Sequence, residues 1–262
     1  MQEKPIEAVV TGAGRGLGRA IASALATEGA RVWICSEDRS ELETTASLIE
    51  SAGGAVRVVE TDLADPDQCA AFTKAVAEGA DRLQVVVNNA AVWKVTPVED
   101  LTLEEWSEVL AVMLTAPFLV TRDLLPLLRQ EGGSVINVSS RSAVMPFEGE
   151  AAYCAAKWGV EAFTRVLSLE LGASNISVNT ITPGLRIKPT SLTDEEVRTV
   201  PESERSSWND PMEIMPAFLF FASLRGEVSG HRFDAFEQTG ALGRLGREET
   251  LRRIHEFFRD VA

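Results

Sequence analysis

Tyr153 is the sole tyrosine of this 262-residue chain, and Lys157 follows it four positions on. That spacing sets the two side chains one turn apart on the same helical face. A phenol is a weak acid, with a reference pKa of about 10. An ammonium held one turn away favours the phenolate and lets the group trade a proton with an alcohol or a carbonyl. The preceding residues read Ser139-Ser-Arg-Ser-Ala-Val-Met-Pro-Phe-Glu-Gly-Glu-Ala-Ala-Tyr153, so a loop hydroxyl can donate to the same substrate oxygen. Tyr-x-x-x-Lys alone is a short pattern that a surface helix can carry by chance. Its weight comes from the elements that position it.

An apolar run over 6–10 predicts a first strand, followed at once by Thr11-Gly-Ala-Gly-Arg-Gly-Leu-Gly18 and an amphipathic helix over 19–28. Strand, glycine-rich turn and helix is the order that lets backbone amides and a helix N-terminus approach a pyrophosphate. Gly12, Gly16 and Gly18 hold the tight turn and the close approach. Further strands are predicted over 31–36, 55–60, 83–87, 134–138 and 176–181. Helices fall between them over 40–52, 66–78, 102–129 and from Tyr153 to about 172. This alternation predicts an α/β fold, a doubly wound parallel sheet in a single domain. After Pro183-Gly184 the rhythm fails, and residues 185–210 read as a lid-like insertion with a short helix around 194–200. A helix over 211–224 and a short strand over 229–235 follow. The tail over about 236–262 carries Leu251, Ile254, Phe257 and Phe258 on one amphipathic side.

Twenty-five basic against thirty-nine acidic residues give a net charge of −14, a field that repels nucleic acid and anionic membrane. The polar N-terminus lacks a signal peptide's apolar core, and no uncharged run is long enough to span a bilayer. A cytoplasmic protein is the expectation. Cys35, Cys69 and Cys154 are odd in number and widely spaced, which suggests reduced thiols. Two histidines leave no basis for a His-rich metal site, so no metal is expected.

Taken together, Thr11–Gly18, Asp62-Leu63, Asn88-Asn89-Ala90 and the set Ser140, Tyr153 and Lys157 resemble the short-chain dehydrogenase/reductase family from residue 6 to about 230. Ser140 stands thirteen positions before Tyr153, the family's usual interval. The resemblance implies NAD or NADP on the carboxyl ends of the strands and an oxidoreductase interconverting a secondary alcohol and a ketone. It assigns Tyr153 as general acid/base, Ser140 as the group polarising the carbonyl, and Lys157 as holder of the nicotinamide ribose that also lowers the tyrosine's pKa. Gly12, Arg15, Gly16, Leu17 and Gly18 would border the pyrophosphate. Asp62, beside Leu63, would receive the adenine amino group, Asn88 and Ala90 would lie beside the adenosine ribose, and Pro183 and Gly184 would flank the nicotinamide. At the end of the second strand, Ser36 and Glu37 stand where the family discriminates between cofactors. Arg15 and Arg39 attract a 2′-phosphate while Glu37 and Asp38 oppose it, and the balance favours NAD.

Departures from the family pattern keep two other readings open: a cofactor-binding sensor or scaffold with little catalysis, and a lyase or epimerase using the same tyrosine. Met113 replaces an asparagine that helps seat a water linking the lysine to solvent. A thioether accepts weakly and donates nothing, so slower proton exchange is expected. Ala91 replaces a glycine, and Ser229-Gly-His-Arg-Phe-Asp-Ala235 replaces the usual last strand. Substrate-pocket candidates are Trp93, Lys94, Val95, Met145, Phe147, Glu148, Leu185, Arg186 and Trp208, with Lys94, Arg186 and Lys188 available to an anionic group. The resemblance also implies a homodimer or homotetramer paired through the helices over 102–129 and 151–172, with Ala155, Ala156 and Gly159 allowing close approach.

Overall fold

The structure is a computed structural model that describes residues 5–184, 186, 187, 192 and 194–259. Leu185 and Lys188 lie outside the described residues. Seven parallel strands form one sheet in the order β3-β2-β1-β4-β5-β6-β7. They are β1 (Glu7–Thr11), β2 (Arg31–Ser36), β3 (Ala55–Glu60), β4 (Leu83–Asn88), β5 (Gly133–Val138), β6 (Ile176–Thr182) and β7 (Arg232–Asp234). β1, β4, β5 and β6 are buried along their whole length, as strands covered by helices on both faces must be. β3, at the edge, alternates exposed and half-buried positions.

Two apolar layers sandwich the sheet. On one face α1 (Gly16–Thr27), α2 (Arg39–Ser51) and α9 (Met215–Ala222) pack Ile21, Leu25, Leu42, Ile49, Phe218 and Phe221 onto Val10, Val32, Val85 and Val87. On the other, α3 (Pro66–Gly79), α5 (Ala116–Glu131) and α6 (Ala151–Leu171) bring Phe72, Val76, Val120, Leu124, Leu128 and Leu167 onto Val9, Val86, Val135 and Val178. The strand order reverses between β1 and β4, and the crevice at their carboxyl ends is where a doubly wound sheet binds ligands.

The helix expected over 102–129 is interrupted. α4 (Leu103–Leu110) runs into a π turn at Ala111–Thr115 before α5 begins. Pro117 accounts for the break, because it has no N–H for the Met113 carbonyl and its ring crowds that oxygen. By length and composition the combined Leu103–Glu131 segment could cross a bilayer. It lies instead along the sheet with Val120, Leu124 and Leu128 fully buried.

Beyond β6 the insertion holds α7 (Asp194–Thr199) and α8 (Glu202–Arg205), tied back by a bridge between Ile187 and Asn209. α10 (Ala235–Arg259) bends at Gly246, where φ is +74°. Its second half buries Ile254 and rests Leu251 and Phe258 on the core, while Phe257 points outward. The tail therefore packs on its own domain, with a narrower apolar face than the sequence suggested.

Candidate active site

α1 begins without a side-chain cap: Arg15 is the capping residue and contributes no hydrogen bond there. By contrast α2, α3 and α4 are capped by Asp38, Asp65 and Thr102. The first N–H groups of α1 thus stay open towards the crevice. The turn before them leaves no room for side chains. A Cβ on Gly18 would stand 2.1 Å from the Gly12 carbonyl oxygen and 2.5 Å from Asn89 Nδ2. One on Gly12, at φ +62°, would stand 2.7 Å from the Ala90 Cα.

Two neighbouring cavities follow this turn along the strand ends. The smaller, about 170 Å³, is lined by Gly12, Arg15, Ser36, Glu37, Asp38, Glu41, Asp62, Leu63 and Ala90 among others. The larger, about 590 Å³, is lined by Leu17, Trp93, Ser140, Tyr153, Lys157, Pro183, Gly184 and Arg186, with further walls from Asn89, Arg232 and Asp234. A glycine cradle beside an open helix N-terminus, with a polar compartment on one side and a phenol on the other, fits a dinucleotide laid across the crevice. Ser36, Glu37, Asp62 and Ala90 would then hold the adenosine half, and Lys157, Pro183 and Gly184 would border the nicotinamide half.

Asn88 is the exception among the nucleotide candidates. Its side chain turns into the fold and donates to Thr121 Oγ1 at 3.0 Å and Asn137 Oδ1 at 2.8 Å. Asn137 passes the chain on to Thr164 Oγ1 at 2.8 Å. The Asn88 side chain therefore braces β4 against β5, α5 and α6. Asn89 is the residue turned to the crevice, where its Nδ2 holds the Thr11 and Gly12 carbonyls at 3.0 and 3.1 Å. Both asparagines were visible in the sequence; which one faces out depends on the pleat at the end of β4.

α6 carries Tyr153, Lys157 and Glu161 as one stripe at i, i+4 and i+8. The Ser140 hydroxyl lies within hydrogen-bonding reach of the phenol oxygen. Lys157 Nζ sits 5.7 Å from the phenol ring centre and donates to the Val138 carbonyl at 2.7 Å. Without nucleotide the phenol is not lowered as the resemblance implied. Burial pushes it up to about 12, partly offset by the Ser140 hydroxyl, while the Glu150 carboxylate adds to the rise. Burial also pulls the Lys157 ammonium down to about 8, and Glu161 resists that fall.

Behind the lysine lies a polar knot that the sequence reading passed over. Glu161 accepts from Ser139 Oγ at 2.5 Å, Thr180 Oγ1 at 2.7 Å and Arg232 Nε at 3.2 Å. Arg232 also donates to the Ser140 carbonyl at 3.0 Å, so β7 fixes the backbone that presents the Ser140 hydroxyl. Glu161 could have been found from its i+4 spacing to Lys157. Arg232 and Asp234 fall beyond Gly230, where the family pattern gives no register.

Several pocket candidates do other work. Lys94 pairs with Glu108 at 2.5 Å and does not line the larger cavity. Arg186 reaches the larger cavity, although it also pairs with Glu204 at 3.5 Å. Met145, Phe147 and Glu148 are exposed, Arg141 lying over the Phe147 ring at 5.8 Å. Val95 packs beneath Gly149, and neither Val95 nor Trp208 lines the cavity. Ala156 and Gly159 face inward. Ala156 is fully buried beside Met113, and a Cβ on Gly159 would stand 2.8 Å from Leu114 of the same chain. Both serve packing within the subunit.

A family model for short chain dehydrogenases matches residues 7–200. Among curated relatives, the D-threitol dehydrogenase of Mycolicibacterium smegmatis is 37% identical over 177 residues, covering 67% of this chain and 68% of that protein. The trans-4-hydroxycyclohexanecarboxylate dehydrogenase of Sinomonas cyclohexanicum is 36% identical over 183 residues, covering 68% and 71%. Among solved structures, a metagenomic short-chain oxidoreductase in complex with NADP aligns with a TM-score of 0.74 at 30% identity, over 86% of this chain and 94% of that one.

Proposed function

This chain belongs to the short-chain dehydrogenase/reductase family, NAD(P)-dependent oxidoreductases of CH–OH and C=O groups, and from that premise we propose that it interconverts a secondary alcohol and its ketone with Tyr153 as general acid/base. The observation that carries the reading is the convergence of the Ser140 hydroxyl, the Tyr153 phenol and the Lys157 ammonium on one wall of the larger cavity. A bound nicotinamide supplies or accepts the hydride at that wall. Ser140 donates to the substrate oxygen and holds it against the phenol. Tyr153, kept neutral by burial, gives its proton to that oxygen in reduction and recovers it in oxidation. Lys157, charged at neutral pH, stabilises the transient phenolate, and Glu161 offsets the cost of holding that charge inside.

NAD is the proposed cofactor. At the adenosine end Glu37, Asp38 and Glu41 gather, and the nearby cations are engaged: Arg15 with Glu41 at 2.9 Å and Arg39 with Glu43 at 2.8 Å. The expected assembly is a homodimer or homotetramer. Phe118, Val166 and Leu169 stand exposed on the outer faces of α5 and α6, an apolar surface suited to a second copy. Free thiols at Cys35, Cys69 and Cys154 support residence in a reducing compartment such as the cytoplasm.

The test is nicotinamide absorbance across a panel of secondary alcohols and ketones, with Tyr153→Phe as control. Loss of the phenolic hydroxyl should lower kcat by roughly 10²- to 10⁴-fold and leave nucleotide binding intact. Undiminished turnover in that variant overturns the assigned role.

A further inference from the structure

We propose that Tyr153 exchanges its proton with solvent along a wire of two serine hydroxyls, Ser140 and Ser142, that ends on the Glu150 carboxylate. The wire rests on Tyr153 being the acid/base group of the reading above. Its links run from the phenol to the carboxylate through two hydroxyls. Ser140 Oγ neighbours the phenol oxygen, donates to Ser142 Oγ at 3.3 Å, and Ser142 Oγ donates to Glu150 Oε2 at 2.8 Å. A hydroxyl can accept on one lone pair while releasing its own hydrogen, so each serine can pass a proton without moving its oxygen.

The surroundings hold this line in register. The Ser142 amide donates to Ser140 Oγ at 3.2 Å, and Trp158 Nε1 holds the Ser142 carbonyl at 3.0 Å. Trp93 Nε1 takes the other Glu150 oxygen at 3.0 Å. Ser142 is buried, whereas Glu150, just ahead of α6, is part-exposed. The path therefore leads through a buried hydroxyl to a carboxylate that solvent can reach.

Such an outlet answers a gap on the opposite side of the tyrosine. Met113 is buried against Ala152, Ala156 and Tyr153, and its thioether offers no donor. Lys157 Nζ gives one of its three donors to the Val138 carbonyl.

In ketone reduction the incoming hydride pair bonds to the carbonyl carbon, and the C=O π pair becomes a lone pair on oxygen. That oxygen takes the Tyr153 proton. The phenolate then regains a proton from Ser140, Ser140 from Ser142, and Ser142 from Glu150, whose carboxylate has first taken one from solvent. Alcohol oxidation runs the same transfers in reverse. Ser140 donates to the substrate oxygen during hydride transfer and turns to Ser142 once product leaves, so the wire governs recharging between turnovers.

Glu150→Gln keeps one acceptor oxygen for Ser142, gives up the one that faces Trp93 Nε1 and carries no transferable proton, and Ser142→Ala cuts the wire at its middle. Both should lower kcat roughly tenfold or more with unchanged KM. The solvent deuterium isotope effect on kcat should rise, and added formate or imidazole should restore turnover in Glu150→Gln. A merely structural role for Glu150 produces neither the isotope effect nor the rescue. A second readout needs no cofactor: the near-ultraviolet phenolate absorbance of the single tyrosine should titrate at lower pH in Glu150→Gln. An active wild type, an inactive Tyr153→Phe and an unaltered Glu150→Gln together overturn the wire alone. Full activity in Tyr153→Phe, or none in the wild type with any substrate, overturns the functional reading and the wire with it.

Discussion

Replacing Lys157 with methionine should change the way stability depends on pH, in protein without nucleotide. Burial lowers this ammonium from 10.5 to about 8. The unfolded chain therefore holds the proton more tightly than the folded one. Stability is reduced while the unfolded lysine is charged and is recovered as pH rises from about 8 towards 10.5. A displacement of that size corresponds to about 3 kcal/mol, of which linkage returns about 2 kcal/mol between pH 7 and pH 10. The two buried thiols pull the other way. Burial pushes Cys69 up to about 11 and Cys35 higher still, so the stability they contribute is lost as pH climbs past 9. Tyr153, raised to about 12, acts likewise above pH 10. Those groups are common to both proteins, so the difference between wild type and Lys157→Met isolates the lysine. Urea unfolding followed by tryptophan fluorescence should show that difference moving in favour of the wild type by about 2 kcal/mol from pH 7 to pH 10. Parallel curves would mean that the site accommodates the ammonium without strain, and the account of a desolvated lysine beside the phenol would be wrong.

Cofactor preference should follow the acidic end of β2. Two like charges at about 5 Å cost about 1–3 kcal/mol near a protein surface, so kcat/KM should favour NAD over NADP by roughly 5- to 150-fold, and Glu37→Ser should narrow the ratio. Gly18→Ala forces a methyl against the Gly12 carbonyl oxygen at 2.1 Å. It should cost about 1–3 kcal/mol of stability and abolish NADH binding, measured by thermal melting and by NADH fluorescence. Val166→Glu places charge on the exposed face of α6 and should reduce the mass seen by light scattering if copies pair there. An unchanged mass moves the interface elsewhere.

The sheet was legible because its physics is local and repeated. Apolar runs such as Leu83–Asn88 are buried throughout, and a strand covered on both faces must read that way. The Tyr153–Lys157 stripe was legible for the same reason, since i, i+4 spacing on α6 needs no tertiary information. What the sequence concealed depends on orientation or on distant partners. The π turn arises from Pro117 acting on the Met113 carbonyl one turn back, a breaker within an otherwise continuous apolar pattern. The split of roles between Asn88 and Asn89 depends on which way the chain leaves β4 (Asn88 pairs with Asn137 across the ladder). Ala156 and Gly159 look like contact residues by size alone, yet space opposite them is already filled by Met113 and Leu114.

Arg232 is the most instructive of the hidden residues. It lies seventy-five positions beyond Lys157, in a segment without the family's usual last strand, and still binds both Glu161 and the backbone of Ser140. Glu161 in turn faces Lys157 along α6, so the charges run Lys157, Glu161, Arg232. Removing Arg232 leaves the Glu161 carboxylate with one cation where it had two, and frees the Ser140 backbone. The carboxylate beside the lysine and the backbone of the serine are therefore tied together by a strand that no motif marks. A departure from the family pattern at the chain's far end is coupled to the acid–base centre through two side chains.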